Sequence, residues 1–183
     1  MKRVIDRIGA IQSSVAKRLV HLDRVFALWY SDDFAYAEAP MIDPKYIRRF
    51  LFPHMEEMCS AAHDAGIPFI YHGCGNVGPF IDDLVAMGVD ALHPIEPKAL
   101  DIYELKRKLD GKMALIGNID VGEMLTLGNK ELIEEDVRRH IERLAPGGGY
   151  VISSSNSITH YVPIDNYRHM PDCIRRYGVY PVG

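Results

Sequence analysis

An imidazole and a thiol stand two positions apart in the run Tyr71-His72-Gly73-Cys74-Gly75-Asn76, directly after the short apolar segment Ile67 to Ile70. Residues at i and i+2 of an extended segment point to the same side, so His72 and Cys74 can converge on one atom. The flanking glycines let a substrate or a metal approach the backbone closely. Two donors are a fragment of a zinc pattern, which in a catalytic site takes three protein ligands. The bland reading of the same residues is a strand-end histidine hydrogen-bonded to a loop beside a buried thiol that behaves as a small hydrophobe.

The elements around the pair must position it. Val4, Ile8, Ile11, Val15 and Leu19 have the three-and-four spacing of an amphipathic helix, and a strand follows at about Val25 to Tyr30. Asp43 is placed to cap a helix whose first residue is Pro44, and that helix restarts at Pro53 and ends at Gly66. The alternation then repeats. Strands are expected at Pro68 to Tyr71, Ala91 to His93, Met113 to Ile116 and Tyr150 to Ser153. Helices are expected at Gly78 to Met87, Ala99 to Leu109, Leu132 to Leu144 and Ile164 to Tyr177. This spacing indicates an α/β chain of about five parallel βα units.

Each expected strand ends in polar residues: Ser31-Asp32-Asp33, the His72 to Asn76 run, His93-Pro94-Ile95-Glu96, Gly117-Asn118-Ile119-Asp120 and Ser153-Ser154-Ser155-Asn156. Barrels and doubly wound sheets bind ligands at that edge, although strand ends also turn polar because they leave the core. Asp32 and Asp33 are adjacent, so at most one faces a pocket, and Asp32 is the expected one, with an N-cap as its alternative. Asp120 stands between catalysis or substrate binding and capping of the next segment. Asn76, Asn118 and Asn156 are candidate substrate contacts. His21, His54, His63, His140 and His169 fall in or beside helices and read as solvated, and Cys59 and Cys173 read as helix-face or core thiols. Gly147-Gly148-Gly149 precedes a strand, which argues for a turn and against a phosphate cradle.

Composition narrows the class. The 183 residues suit one domain with a sizeable core, and the net charge of -4 is spread without long runs, so no footprint for nucleic acid or an anionic membrane is visible. Three cysteines without a paired framework fit a reducing compartment, and no apolar run approaches ~20 residues. A soluble, cytoplasmic protein acting on small molecules is the expectation. A complete eight-stranded barrel needs ~250 residues, so the chain has room for a little over half of one. Open parallel edges then call for self-association or a complementary chain.

Across most of its length the sequence resembles the C-terminal half of the uroporphyrinogen decarboxylase superfamily, which includes cobalamin-dependent methyltransferases. The resemblance is carried by Asp32-Asp33, His72-Gly73-Cys74-Gly75-Asn76, His93-Pro94-Ile95-Glu96-Pro97, Gly117-Asn118-Ile119-Asp120, Gly147 to Ile152 and Val162-Pro163-Ile164-Asp165-Asn166. It implies the C-terminal part of a (β/α)8 TIM-type barrel, with residues 1–183 as a single partial barrel domain. In the methyltransferase branch, residues spaced as His72 and Cys74 join a later cysteine in a zinc site that activates a thiol, with a corrinoid protein carrying the methyl group. This chain has Ser155-Asn156-Ser157 where that cysteine would fall, which leaves His160, then Glu96, or one of Asp32 and Asp33, to complete the set. In the decarboxylase branch the resemblance implies a metal-free tetrapyrrole pocket whose catalytic aspartate and arginine loop lie in the N-terminal half. A third reading is a non-catalytic half-barrel acting in assembly.

Overall fold

The computed structural model describes residues 2–180. Contacts gather into two compact units, one up to Leu92 and the other from His93. The strands follow one another in chain order from β1 to β5.

The first unit opens with helix α1 (Lys2–Leu19) and strand β1 (Leu28–Ser31), followed by α2 (Pro44–Phe50), α3 (Phe52–Asp64), β2 (Phe69–His72), α4 (Ile81–Met87) and β3 (Ala91–His93), which reaches the boundary. Asp43 caps α2 by accepting the Lys45 backbone N–H, and Pro44 occupies the first turn. α3 begins one residue before Pro53. A 3-10 turn over Gly78–Phe80 leads into α4, which Gly88 closes in the left-handed conformation. β1 pairs in parallel with β2, placing Tyr30 beside Tyr71 and Ser31 beside His72.

Helix α1 forms where its spacing predicts, but the opposite face is buried. Gly9, Ser13 and Ala16 are its buried residues, whereas Val4, Ile8, Ile11, Val15 and Leu19 are 39–61% exposed. The reason is steric: a Cβ at Gly9 would lie 2.3 Å from the His54 ring of α3, so only a row of small residues allows this close approach.

The second unit holds α5 (Ile102–Leu109), β4 (Ala114–Ile119), α6 (Lys130–Leu144), β5 (Tyr150–Ser154) and α7 (Ile164–Tyr177). α5 starts later than its apolar pattern suggests, because Asp101 caps it by accepting the Tyr103 and Glu104 N–H groups. A π-helical turn over Val121–Thr126 has no counterpart in the sequence pattern. β4 and β5 pair in parallel, and the core between them, α6 and α7 is built from Ile119, Leu125, Ile133, Val137, Ile141, Met170 and Cys173.

Candidate metal centre at the β1 and β2 strand ends

Two aromatic residues anchor the site from below. Phe34, just after the aspartate pair, is 2% exposed and packs on Tyr71 (ring centroids 5.1 Å), Phe52 and Phe80, while Tyr71 immediately precedes His72. Burying such rings contributes roughly 1.5–3 kcal/mol each, which fixes both chain segments where they leave the core.

Hydrogen bonds then lock the turn. The Tyr71 hydroxyl donates to the Asp32 carbonyl oxygen at 2.8 Å, the Asp32 N–H donates to the His72 carbonyl at 3.0 Å, and the Tyr30 hydroxyl donates to Asp32 Oδ2 at 2.9 Å. Burial, then the Asp32 charge, push both phenol pKa values up, so the two hydroxyls remain donors. Burial also raises the Asp32 carboxyl, against the lowering effect of the Tyr30 hydrogen bond. Asp32 lines a cavity of about 310 Å3 together with Ile8, Gln12, Tyr30 and His54.

Asp33 turns the other way. Its Oδ1 accepts the Cys74 backbone N–H at 2.8 Å, and its carboxylate, the His72 imidazole and the Cys74 thiol bring donor atoms within 4.8 Å of one another. His72 Nε2 and Cys74 Sγ are 3.7 Å apart. For tetrahedral zinc with the usual bond lengths, the N to S edge is about 3.5 Å. The donor set of one carboxylate, one imidazole and one thiol thus fits a zinc-type ion with a position left for a fourth ligand.

The loop that carries Cys74 depends on glycine. Gly75 has φ +76°, and a Cβ there would meet the Ala35 and Tyr36 carbonyl oxygens at 2.4 and 2.6 Å. The Asn76 N–H donates to Tyr36 O, and Asn76 Oδ1 accepts the Gly78 N–H at 3.1 Å, so this side chain holds the start of the 3-10 turn.

The other sequence candidates belong to the second unit. Among the described residues neither Glu96, half-buried in the loop after β3, nor His160, exposed and stacked edgewise on Tyr161, joins a cluster of three metal-ligating groups. Asn156 is exposed and its Oδ1 accepts the Ser157 N–H, while neighbouring Ser155 is buried and accepts the Val121 N–H. Asp120 caps the π-helical turn by accepting the Glu123 N–H at 2.7 Å. Asn118 is 5% exposed: Nδ2 donates to Ile95 O at 2.7 Å and Oδ1 lies 3.0 Å from His140 Nε2. Asn118, Asp120 and His140 line a cavity of about 540 Å3 with Tyr103, Asp136 and Arg139.

The sequence reads His140 as solvated, and the structure corrects this, since the residue is 4% exposed. Desolvation lowers its pKa, opposed by the Asp136 carboxylate 3.5 Å away. The apolar residues spaced around it, Val137, Ile141 and Leu144, are the available signal.

A family model described as uroporphyrinogen decarboxylase (URO-D) matches residues 1–177. The uroporphyrinogen decarboxylase of Syntrophotalea carbinolica is 31% identical over 142 residues, which is 74% of this chain and 38% of the relative. A uroporphyrinogen decarboxylase of Thermus thermophilus is 28% identical over 179 residues, 96% of this chain and 47% of the relative. A solved methyltransferase from Methanosarcina mazei superposes with a TM-score of 0.68 at 20% identity, over 85% of this chain and 43% of that one, a likeness of fold. The chain therefore spans less than half the length of these curated relatives.

Proposed function

The chain belongs to the uroporphyrinogen decarboxylase family, and from that premise we propose that it binds a divalent metal through Asp33, His72 and Cys74 and holds a small thiol or methyl-carrying substrate there, as in the methyltransferase-like branch. The observation that carries this reading is the convergence of a carboxylate, an imidazole and a thiol within 4.8 Å at adjoining strand ends. In this reading Asp33, one of the alternatives the sequence offers beside His160 and Glu96, is the third ligand. A zinc ion bound there would supply Lewis acidity that lowers the pKa of a bound thiol and favours its nucleophilic thiolate.

The chain's own residues have separate tasks. His72 and Cys74 are the neutral and anionic donors, and Asp33 adds a second negative charge while its Oδ1 steers the Cys74 backbone. Asp32 holds the turn through its carbonyl and carboxylate, and so positions Asp33 without touching the metal. Asn76 keeps the following turn in place. A corrinoid protein is the proposed methyl source.

Cobalt substitution tests the reading, because a thiolate ligand gives Co2+ an intense near-ultraviolet absorption. His72→Ala and Cys74→Ser should each remove this band from the site and weaken its metal affinity at least ~10-fold, as expected for losing one of three ligands. Asp32→Asn should leave the stoichiometry unchanged. Addition of a small thiol should intensify the band. Unchanged affinity in both His72→Ala and Cys74→Ser would remove the basis of the proposal.

A second reading has its own support. The curated relatives quoted above are uroporphyrinogen decarboxylases, so a decarboxylase-like lyase half working with an N-terminal half is the alternative. Turnover of a tetracarboxylate tetrapyrrole by metal-free protein together with such a half would favour it.

A further inference from the structure

We propose a second metal site in the second unit, where Glu134 of α6 and His169 and Cys173 of α7 hold a zinc-type divalent ion that clips the two helices together. It is independent of the strand-end centre and shares no residue with it.

The sequence supplies two ligands on one helical face. His169 and Cys173 are four residues apart in α7, which places their side chains one turn apart on the same side. Helix packing supplies the third. α6 and α7 share a core through Ile133, Val137, Met170 and Cys173, and this brings Glu134 opposite the pair. All three donor groups lie within 4.8 Å of one another.

The two edges that meet at His169 are close to the lengths a tetrahedral ion requires. His169 Nε2 is 3.3 Å from Cys173 Sγ and 3.7 Å from Glu134 Oε2. Zinc bonds of ~2.0–2.3 Å give a nitrogen to oxygen edge of about 3.3 Å and a nitrogen to sulfur edge of about 3.5 Å. Both edges that meet at His169 therefore lie within a few tenths of an ångström of those lengths, and the Glu134 to Cys173 edge is within 4.8 Å. In the metal-free state the 3.3 Å contact is a thiol–imidazole hydrogen bond, and on binding the thiol proton passes to solvent as the ion takes its place.

The carboxylate is already oriented for this role. Its other oxygen, Oε1, accepts hydrogen bonds from Arg176 Nη1 at 2.7 Å and from the Tyr177 hydroxyl, leaving Oε2 turned toward His169. Ligating carboxylates are commonly held by such outer partners. The Arg176 side chain is 57% exposed, so solvent weakens the repulsion between its charge and the ion without removing it. Burial is graded in the same sense: Cys173 is fully buried, while the His169 and Glu134 side chains are 17% and 31% exposed. An ion can enter from solvent and keep a water as its fourth ligand.

The test removes the strand-end centre first. In a His72→Ala/Cys74→Ser protein, Co2+ titration followed by absorption should still show one ion per chain with a thiolate band, and saturating Zn2+ should raise the Tm. Adding Cys173→Ser should abolish the band. Because Cys173 is buried, Glu134→Gln provides a milder variant: its circular dichroism should be unchanged and its Co2+ affinity at least ~10-fold weaker. Absence of any bound Co2+ in the His72→Ala/Cys74→Ser protein would overturn the second site, and so would full binding in both the Cys173→Ser and Glu134→Gln backgrounds. Metal lost only with His72 and Cys74 would leave the strand-end proposal standing alone.

Discussion

A methyl group at Gly75 has nowhere to go. Its φ of +76° disfavours any side chain, and the Cβ would press on two carbonyl oxygens of the 35–36 segment. Left-handed strain alone costs about 1–3 kcal/mol for a non-glycine residue, so Gly75→Ala should lower stability by about 2 kcal/mol or more, read by urea titration, and weaken metal binding with it. His140 makes a pH-dependent prediction. Its folded pKa lies below the ordinary value near 6.5 because it is buried, so the unfolded chain binds the proton first as pH falls. Stability should therefore drop as pH is lowered through about 6.5, and the drop should be shallower in His140→Gln. Equal slopes for the two proteins would reject this. At this scale the sequence reveals His72 and Cys74 because they are neighbours along a strand end. It favours Asp32 for the pocket and leaves open which of Asp32 and Asp33 could join a metal, since the Tyr30 hydroxyl on the Asp32 carboxylate and the Cys74 N–H on Asp33 are contacts that residue order does not display. The Glu134 contact is hidden for a related reason: His169 and Cys173 show a helical repeat, but their partner comes from another helix.

Elements are more legible than the contacts among them. Asp43-Pro44, Gly88 and the 164–177 stripe mark helix limits because capping and apolar periodicity are local, whereas the π-helical turn after Asp120 depends on Ser155 receiving the Val121 N–H from a distant loop. The aromatic group of Phe34, Phe52, Tyr71 and Phe80 is where elements become a site, because it joins the loop after β1 to β2, α3 and the 3-10 turn. Phe34→Ala should cost about 3–5 kcal/mol. It should also weaken metal affinity without touching a ligand, since Asp33 would lose the anchor next to it. Phe34→Leu, which keeps most of the volume, should recover most of both. Restored stability with metal affinity still lost would mean that the aromatic group does more than anchor the turn.

For the whole molecule, α1 raises a question of magnitude. Its apolar stripe is exposed, and Ile11, Val15 and Leu19 line a groove with Trp29, itself 48% exposed. Completely burying an aliphatic side chain contributes roughly 1.5–3 kcal/mol, so five half-exposed residues offer about 4–8 kcal/mol. Association itself costs an estimated 4–15 kcal/mol, which that face alone does not outweigh by enough for a tight dimer. A partner that also pairs with β1 would add backbone hydrogen bonds and bury Trp29. Such a partner has the character of the remaining half of a barrel, in keeping with a chain that covers 38–47% of its curated relatives. We therefore expect this chain to sediment as a monomer at micromolar concentration and to bind an N-terminal barrel half from a related protein. Ile8→Glu and Val15→Glu should abolish that binding, while each costs the isolated chain only about 1 kcal/mol, because about half of each side chain is exposed in it. A tight self-dimer at nanomolar concentration would contradict the energetic argument. Marked destabilisation of the isolated chain by either substitution would instead show that the stripe is already packed in solution.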